Sequence, residues 1–238
     1  MTDTPRITLV TGASAGIGRA AAVALAKAGD HVIITARKAE NLEPVDDAIT
    51  AAGGSATIVP LDLMNGEAID RLGAALYERW GRLDGLAANA GLLGELAPLG
   101  HVTPTIFEET VAVNLTANWR LIRSLDPLLK ASEAGRALFV TSGAAIRPRA
   151  YWGPYAASKA GLDALALSYA AECAETSVRV NLLNPGATAT RMRAKAMPGE
   201  DPDTLPQPED VAPLYVEMTR AGYAENGVRV NYADWAKG

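Results

Sequence analysis

Three side chains carry the chemistry most readily read from this sequence. Tyr155 and Lys159 are separated by three residues in Tyr155-Ala156-Ala157-Ser158-Lys159. On a helix that spacing puts a phenol and an ammonium on one face, one turn apart. A phenol titrates near pH ~10 and is a poor base at neutrality. An ammonium within about 4–6 Å favours the phenolate by roughly 1–3 units, which would bring Tyr155 towards general acid–base work. Ser142 closes an apolar run, a position from which its hydroxyl can hold a substrate carbonyl beside the tyrosine. A Tyr-x-x-x-Lys pair alone is weak evidence, since chance helices contain many.

The pair gains weight from a glycine-rich turn near the start of the chain, Thr11-Gly12-Ala13-Ser14-Ala15-Gly16-Ile17-Gly18. Gly12 suits a tight turn, Gly16 leaves room for a pyrophosphate against the backbone, and Gly18 lets the next helix pack closely on the strand. The N-terminus of that helix offers free N–H groups and a positive dipole end to an anion. The spacing is GxxxGxG rather than GxGxxG, so the turn by itself also fits an ordinary strand-to-helix connection. About twenty residues on, a dinucleotide's adenosine ribose should lie, and a carboxylate there would accept from a 2′-hydroxyl. The chain reads Ala36-Arg37-Lys38 instead. A guanidinium takes a 2′-phosphate through two hydrogen bonds, so NADP(H) is expected in preference to NAD(H). A solvated helix start is the plainer explanation of the two bases.

These groups need a frame, and the hydrophobic pattern supplies one. Short apolar runs at Ile7–Thr11, His31–Thr35, Ser55–Pro60, Gly85–Asn89, Ala137–Thr141, Val178–Leu183 and Gly227–Tyr232 read as strands covered on both faces. Ile17, Ala20, Ala21, Ala24, Leu25 and Ala28 recur at helical spacing, with Gly29 as a stop. Thr103-Pro104 marks the start of a long helix to about residue 132, and a further helix should run from Gly153 to about Glu175. Such alternation predicts α/β architecture: one Rossmann-type, doubly wound parallel sheet of about seven strands with helices on both faces. No repeat or linker divides residues 1–238, so one domain is expected. Residues 188–210, rich in charge and proline, read as an excursion over the sheet's edge, suited to a mobile substrate loop.

Composition narrows the function classes. The 238 residues hold 22 Lys plus Arg against 27 Asp plus Glu, a net charge of −5, so no basic field attracts nucleic acid or an anionic membrane. The single cysteine, Cys173, cannot form an internal disulfide, and two histidines are too few for a His or Cys metal cluster. No apolar stretch reaches the roughly 18 residues of a membrane span, and no targeting segment is evident. A cytoplasmic globular protein without a metal is the expectation.

The motifs together resemble the short-chain dehydrogenase/reductase family in its simple, single-domain branch, over essentially the whole chain. They are Thr11-Gly12-x-x-x-Gly16-x-Gly18, Asp62-Leu63, Asn89-Ala90-Gly91, Asn114, Ser142, Tyr155-x-x-x-Lys159 and Asn184-Pro185-Gly186 with Thr188 and Thr190. The resemblance implies a catalytic set of Asn114, Ser142, Tyr155 and Lys159, with Asn114 holding a proton-relay water from a distorted helix. It implies cofactor contacts at Gly12, Ser14, Gly16, Ile17, Gly18, Arg37, Lys38, Asp62, Leu63, Asn89, Ala90, Gly91, Tyr155, Lys159, Pro185, Gly186, Thr188 and Thr190. Asp62 would meet the adenine, Lys159 the nicotinamide ribose, and Pro185 to Thr190 the nicotinamide. The implied activity is hydride transfer between NADP(H) and a carbonyl or secondary alcohol; the competing reading is a catalytically inactive NADP(H)-binding redox sensor. The family pairs helices like that of Tyr155 into homodimers and homotetramers, and Ala156, Ala157, Ala160, Ala164 and Ala171 offer a small-residue surface for it. Leu92, Leu93, Ala144, Arg147, Tyr151, Trp152 and residues 188–208 are expected to line the substrate pocket. The chain departs from the family pattern at Ala88, where an Asn is common, and at Thr141, where a Ser is common, both outside the catalytic set. It departs again at the C-terminus, where Val228-Arg229-Val230-Asn231-Tyr232-Ala233-Asp234 lacks the family's Asp-Gly-Gly ending.

Overall fold

In the computed structural model, which describes residues 4–238, β1 (Ile7–Thr11) leads into α1 (Gly16–Lys27), β2 (His31–Ala36), α2 (Glu43–Ala51), β3 (Ser55–Pro60), α3 (Gly66–Trp80) and β4 (Gly85–Ala88). The second half carries α4 (Pro104–Val111), α5 (Ala117–Lys130), β5 (Arg136–Val140), α6 (Gly153–Glu172), β6 (Arg179–Asn184), α7 (Arg191–Ala196), α8 (Pro208–Thr219), β7 (Arg229–Asn231) and α9 (Tyr232–Trp235). The strands form one seven-stranded sheet in the order β3-β2-β1-β4-β5-β6-β7, and every pairing is parallel. β1, β4 and β5 are buried at every position, as strands covered on both faces must be. One face packs Leu25, Val45, Ile49, Leu214 and Tyr215 from α1, α2 and α8. The other packs Leu72, Leu76, Leu121, Leu125 and Leu162 from α3, α5 and α6. Each such leucine contributes roughly 1.5–3 kcal/mol by leaving water. Because β1 and β4 are neighbours, the chain reverses its winding between them and opens a crevice at their carboxyl ends.

Three segments differ from the sequence pattern. The helix expected from 103 to 132 is interrupted by a π turn at Ala112–Thr116. The buried Asn114 sits there, its Oδ1 accepting from Leu92 N (2.7 Å) and its Nδ2 donating to Leu92 O (2.8 Å) and Ser158 Oγ (2.9 Å). These bonds to two other segments hold the widened turn open. The 188–210 excursion contains α7, whose first turn is capped by Thr190 Oγ1 accepting from Arg193 N at 3.2 Å. Arg193 in turn clamps Glu200, with Nη2 donating to Oε1 at 2.6 Å. On α6, Ala157, Ala160, Ala164 and Ala171 are exposed, whereas Ala156, expected with them, is buried. Among the described residues no helix is long and apolar enough to cross a membrane.

Candidate active site

The crevice is built first by backbone. Gly12 turns the chain out of β1 at φ 67°, and a Cβ there would lie 2.9 Å from Ala90 Cα. A Cβ on Gly18 would lie 2.4 Å from the Gly12 carbonyl oxygen and 2.5 Å from Asn89 Nδ2. The glycines thus let the turn, α1 and the end of β4 meet without side chains between them. Thr11 Oγ1 accepts from Asn89 N and Ala90 N, both at 3.0 Å, and Asn89 Nδ2 donates to Thr11 O at 3.1 Å. The Tyr215 hydroxyl braces Asn89 Oδ1 at 2.9 Å. Ala15 gives α1 no side-chain cap, and no acid occupies its first turn, so the leading amides remain open to an anion.

A cleft of about 660 Å³ runs over this edge. Gly12, Ser14, Gly16, Ile17 and Gly18 form its floor; Arg37, Asp62 and Leu63 wall one end; Asn89, Ala90, Gly91, Tyr155, Lys159, Pro185 and Thr190 wall the other. Three expected binding residues lie outside its lining. Lys38 pairs with Glu40 at 3.1 Å, Thr188 is buried with Oγ1 donating to Pro185 O at 3.2 Å, and Gly186 N donates to Asn184 Oδ1 at 3.1 Å. Arg19, Met64, Val113, Val140 and Met192 also line the cleft, unanticipated. Arg19 left a readable signal: a base in the first helical turn opposes the dipole unless an anion binds there. Open amides, a glycine floor and two arginines suit a phosphorylated dinucleotide.

At the inner end, Tyr155 and Lys159 line the cleft, while Ser142 and Asn114, expected to act with them, lie outside its lining. Ser142 caps the turn at Gly143–Ala145, its Oγ accepting from Ala144 N at 3.2 Å, and its hydroxyl stands near enough to Tyr155 to influence that phenol. Burial pushes the Tyr155 phenol up from its ordinary pKa, and the nearby Ser142 hydroxyl pulls it partly back. The expectation that Lys159 would hold that phenol down is not met. The Lys159 ammonium instead donates to Val140 O at 2.7 Å, and its Nζ stands 6.0 Å from the Tyr155 ring centroid. Buried without a carboxylate, Lys159 is itself lowered to about 8. One carbonyl leaves donor capacity on this ammonium at the cleft wall, the place expected for a ribose hydroxyl. Around Gly91, a Cβ would lie 3.2 Å from Asn114 Oδ1 and 3.5 Å from Lys159 Nζ. Asn118 Nδ2 donates to the Asn114 carbonyl at 2.9 Å, a contact no local pattern announces.

A second cavity, also about 660 Å³, shares Gly91, Leu92, Arg191 and Met192 with the first. Leu93, Ile106, Glu109, Thr110 and Lys195 complete much of its wall. Leu92, Leu93 and the 188–208 segment therefore contribute as expected, but Ala144, Arg147, Tyr151 and Trp152 do not line it. Trp152 packs edge-on to Tyr155, with centroids 5.9 Å apart. The α4 contribution was unreadable locally, because Ile106, Glu109 and Thr110 meet the Gly91–Glu95 loop and α7 only in the folded chain.

The family model for short chain dehydrogenases matches residues 6–201. Over 214 residues the chain is 40% identical to the uncharacterized oxidoreductase YciK of Escherichia coli K12, covering 89% of this chain and 84% of that protein. A short chain dehydrogenase from Shigella flexneri 2a, solved in complex with NADP, superposes with a TM-score of 0.92 at 38% identity, covering 96% of this chain and 97% of that one. One from Escherichia coli CFT073, solved with NADPH, gives a TM-score of 0.91 at 38% identity over 95% and 96% of the two chains. A match of this length and backbone agreement makes the chain a member of the short-chain dehydrogenase/reductase family, an oxidoreductase acting on CH–OH and C=O groups.

Proposed function

We propose that the protein is a carbonyl reductase, catalysing reversible hydride transfer between NADP(H) and a small carbonyl or secondary alcohol. The observation that carries this reading is Tyr155 beside the buried Lys159 on the cleft wall, the Lys159 Nζ 6.0 Å from the phenol ring, close to Gly91, which both cavities share. When bound, NADP(H) supplies the hydride in reduction and takes it up in oxidation. Gly12, Ser14, Gly16, Ile17 and Gly18 would hold its pyrophosphate, Asp62 and Leu63 the adenine, and Asn89, Ala90, Gly91, Lys159, Pro185 and Thr190 the nicotinamide half. Arg37 would take the 2′-phosphate bidentately. The NADP and NADPH complexes of the two similar structures support that preference.

In the reductive direction Tyr155 gives its proton to the carbonyl oxygen while Ser142 donates a second hydrogen bond to it. The oxygen gains a proton, the carbon gains a hydride, and an alcohol leaves. A preorganised donor of this kind is worth roughly 3–4 kcal/mol. Burial keeps Tyr155 protonated at neutral pH, which suits an acid. Lys159, poised at about 8, can return a proton to the phenolate. Asn114, its side chain bonded to Leu92 and Ser158, fixes the Gly91–Leu92 loop around which Lys159 lies. The α7 segment, carrying Arg191, Met192 and Lys195 over the second cavity, serves as the substrate loop.

The test is NADPH oxidation against a panel of ketones and aldehydes, with Tyr155→Phe as the variant. Turnover is expected to fall by roughly 10²–10⁴-fold while NADP+ still binds. A fully active Phe variant, or a parent protein inert across the panel, refutes the reading.

A further inference from the structure

The C-terminal strand, where the sequence departs from its family, reaches back to the catalytic residues. Arg229 in β7 forms an ion pair with Asp163, and both side chains are only 16% exposed. Asp163 lies on α6 one turn beyond Lys159 and two beyond Tyr155, so these three residues share a face. Its other carboxylate oxygen accepts from the Thr141 hydroxyl. Arg229 Nη2 also donates to Thr141 Oγ1, and Nη1 donates to the Ser142 carbonyl oxygen, both at 3.3 Å. The neighbouring Asn231 accepts from Asn184 Nδ2 at 3.0 Å, and Asn184 Oδ1 accepts from Gly186 N at 3.1 Å.

We infer that Arg229 and Asp163, with Thr141 between them, are positioning residues that lock the main chain of Ser142 to the helix bearing Tyr155 and Lys159. The inference rests on the catalytic roles proposed for Ser142 and Tyr155. Ser142 lies beyond the last residue of β5, and its own Oγ is tied only locally, to Ala144 N. Its carbonyl is held by β7, and β7 is held by α6, so the Ser142–Tyr155 distance is set by a closed loop of bonds. A guanidinium suits this position because its planar fork reaches a carboxylate, a hydroxyl and a carbonyl together; an ammonium is a single point donor. Neither Arg229 nor Asp163 lines either cavity, so neither touches substrate; Thr141 does line the cleft, with its hydroxyl taken up by this pair.

Two readouts test this, one with substrate and one without. Arg229→Met, Arg229→Lys, Asp163→Asn and Thr141→Val are compared with the parent for kcat, KM and NADP+ affinity. Tyr155 ionisation is followed as phenolate absorbance against a matching Tyr155→Phe protein. Arg229→Met and Asp163→Asn are expected to lower kcat roughly tenfold or more, as small misplacements of reacting groups do, with KM and NADP+ affinity little changed. They should raise the Tyr155 midpoint in the same direction as Ser142→Ala. In a Ser142→Ala background the same substitutions should add nothing further, since groups acting through one residue are not additive. Arg229→Lys, keeping the charge but not the fork, should fall between. Unchanged kcat and Tyr155 midpoint, or an effect undiminished in the Ser142→Ala background, overturns the inference. So does failure of all four variants to fold, because the pair would then be holding the sheet together rather than Ser142. The ionisation readout needs no substrate, so an inert panel sinks the carbonyl-reductase reading without deciding this one.

Discussion

Arg37 follows β2 at the cleft wall while the adjacent Lys38 turns aside to Glu40, so two bases that look alike in sequence have different surroundings. Charge-assisted hydrogen bonds to a phosphate contribute about 1.5–3 kcal/mol. Arg37→Leu is therefore expected to weaken NADPH binding by roughly 10–100-fold while leaving NADH nearly unaffected, so that the coenzyme preference collapses. Fluorescence titration with each reduced coenzyme measures both constants; an equal loss for the two would remove Arg37 from the 2′-phosphate. Residue identity was legible here because spacing does part of the chemistry: three intervening residues on a helix were enough to align Tyr155 with Lys159. What spacing does not encode is the partner. That Lys159 would point to the Val140 carbonyl rather than to the Tyr155 phenol is decided by a strand nineteen positions upstream. Arg229, Thr141 and Asp163 were illegible for the same reason, since they converge from three different elements.

The docking of α1 on β1 shows how one element fixes the site. The Gly12 carbonyl lies 2.4 Å and Asn89 Nδ2 2.5 Å from a Cβ on Gly18, and the Asn89 side chain is fixed by Thr11 O and the Tyr215 hydroxyl, so relief must come largely from a shift of α1. Gly18→Ala is expected to destabilise the fold by about 1–3 kcal/mol, as overpacking does, and to lower NADP+ affinity by tilting the open amides. Urea unfolding and coenzyme titration read the two effects separately; parent-like values in both would show that the close approach is dispensable. Element type was legible wherever the apolar period was sustained. β1 and β3 have the expected limits, and the remaining strands shift by a residue or two at their ends. The exceptions have physical causes. No glycine or proline marks the π turn at Ala112–Thr116, because it is held from outside by Leu92 and Ser158. The six-residue α7 is too short and too basic to show periodicity, and its stability comes from the Thr190 cap and the Arg193–Glu200 clamp.

At the scale of the whole molecule, a sheet that opens a crevice between β1 and β4 must leave functional groups desolvated, and Lys159 bears that cost. Its folded pKa of about 8 lies below the ordinary 10.5. Between those values the folded protein has released a proton that the unfolded chain keeps, so unfolding takes up a proton and stability rises with pH. Below about 8 the lysine is charged in both states and the full penalty of burying it remains; above 10.5 it is neutral in both and the penalty is gone. Across the window the shift corresponds to on the order of 3 kcal/mol, at a slope of up to about 1.4 kcal/mol per pH unit. Other groups act in the opposite sense at higher pH. Cys173, raised from 9.0, and Tyr155, Tyr169 and Tyr215, each raised from 10.0, stay protonated in the fold where the unfolded chain ionises, so each lowers stability above those values. The interval from about pH 8 to 9 therefore isolates Lys159. Coenzyme-free protein is expected to gain stability through that interval in urea titrations, and Lys159→Met to abolish the gain. Below pH 8 the Met variant should be the more stable of the two by on the order of 1–3 kcal/mol while inactive, the trade expected where a catalytic group is buried for its chemistry. A flat profile in the parent, or the same slope persisting in the variant, would mean that the ammonium is solvated in the open crevice and is not the source of strain.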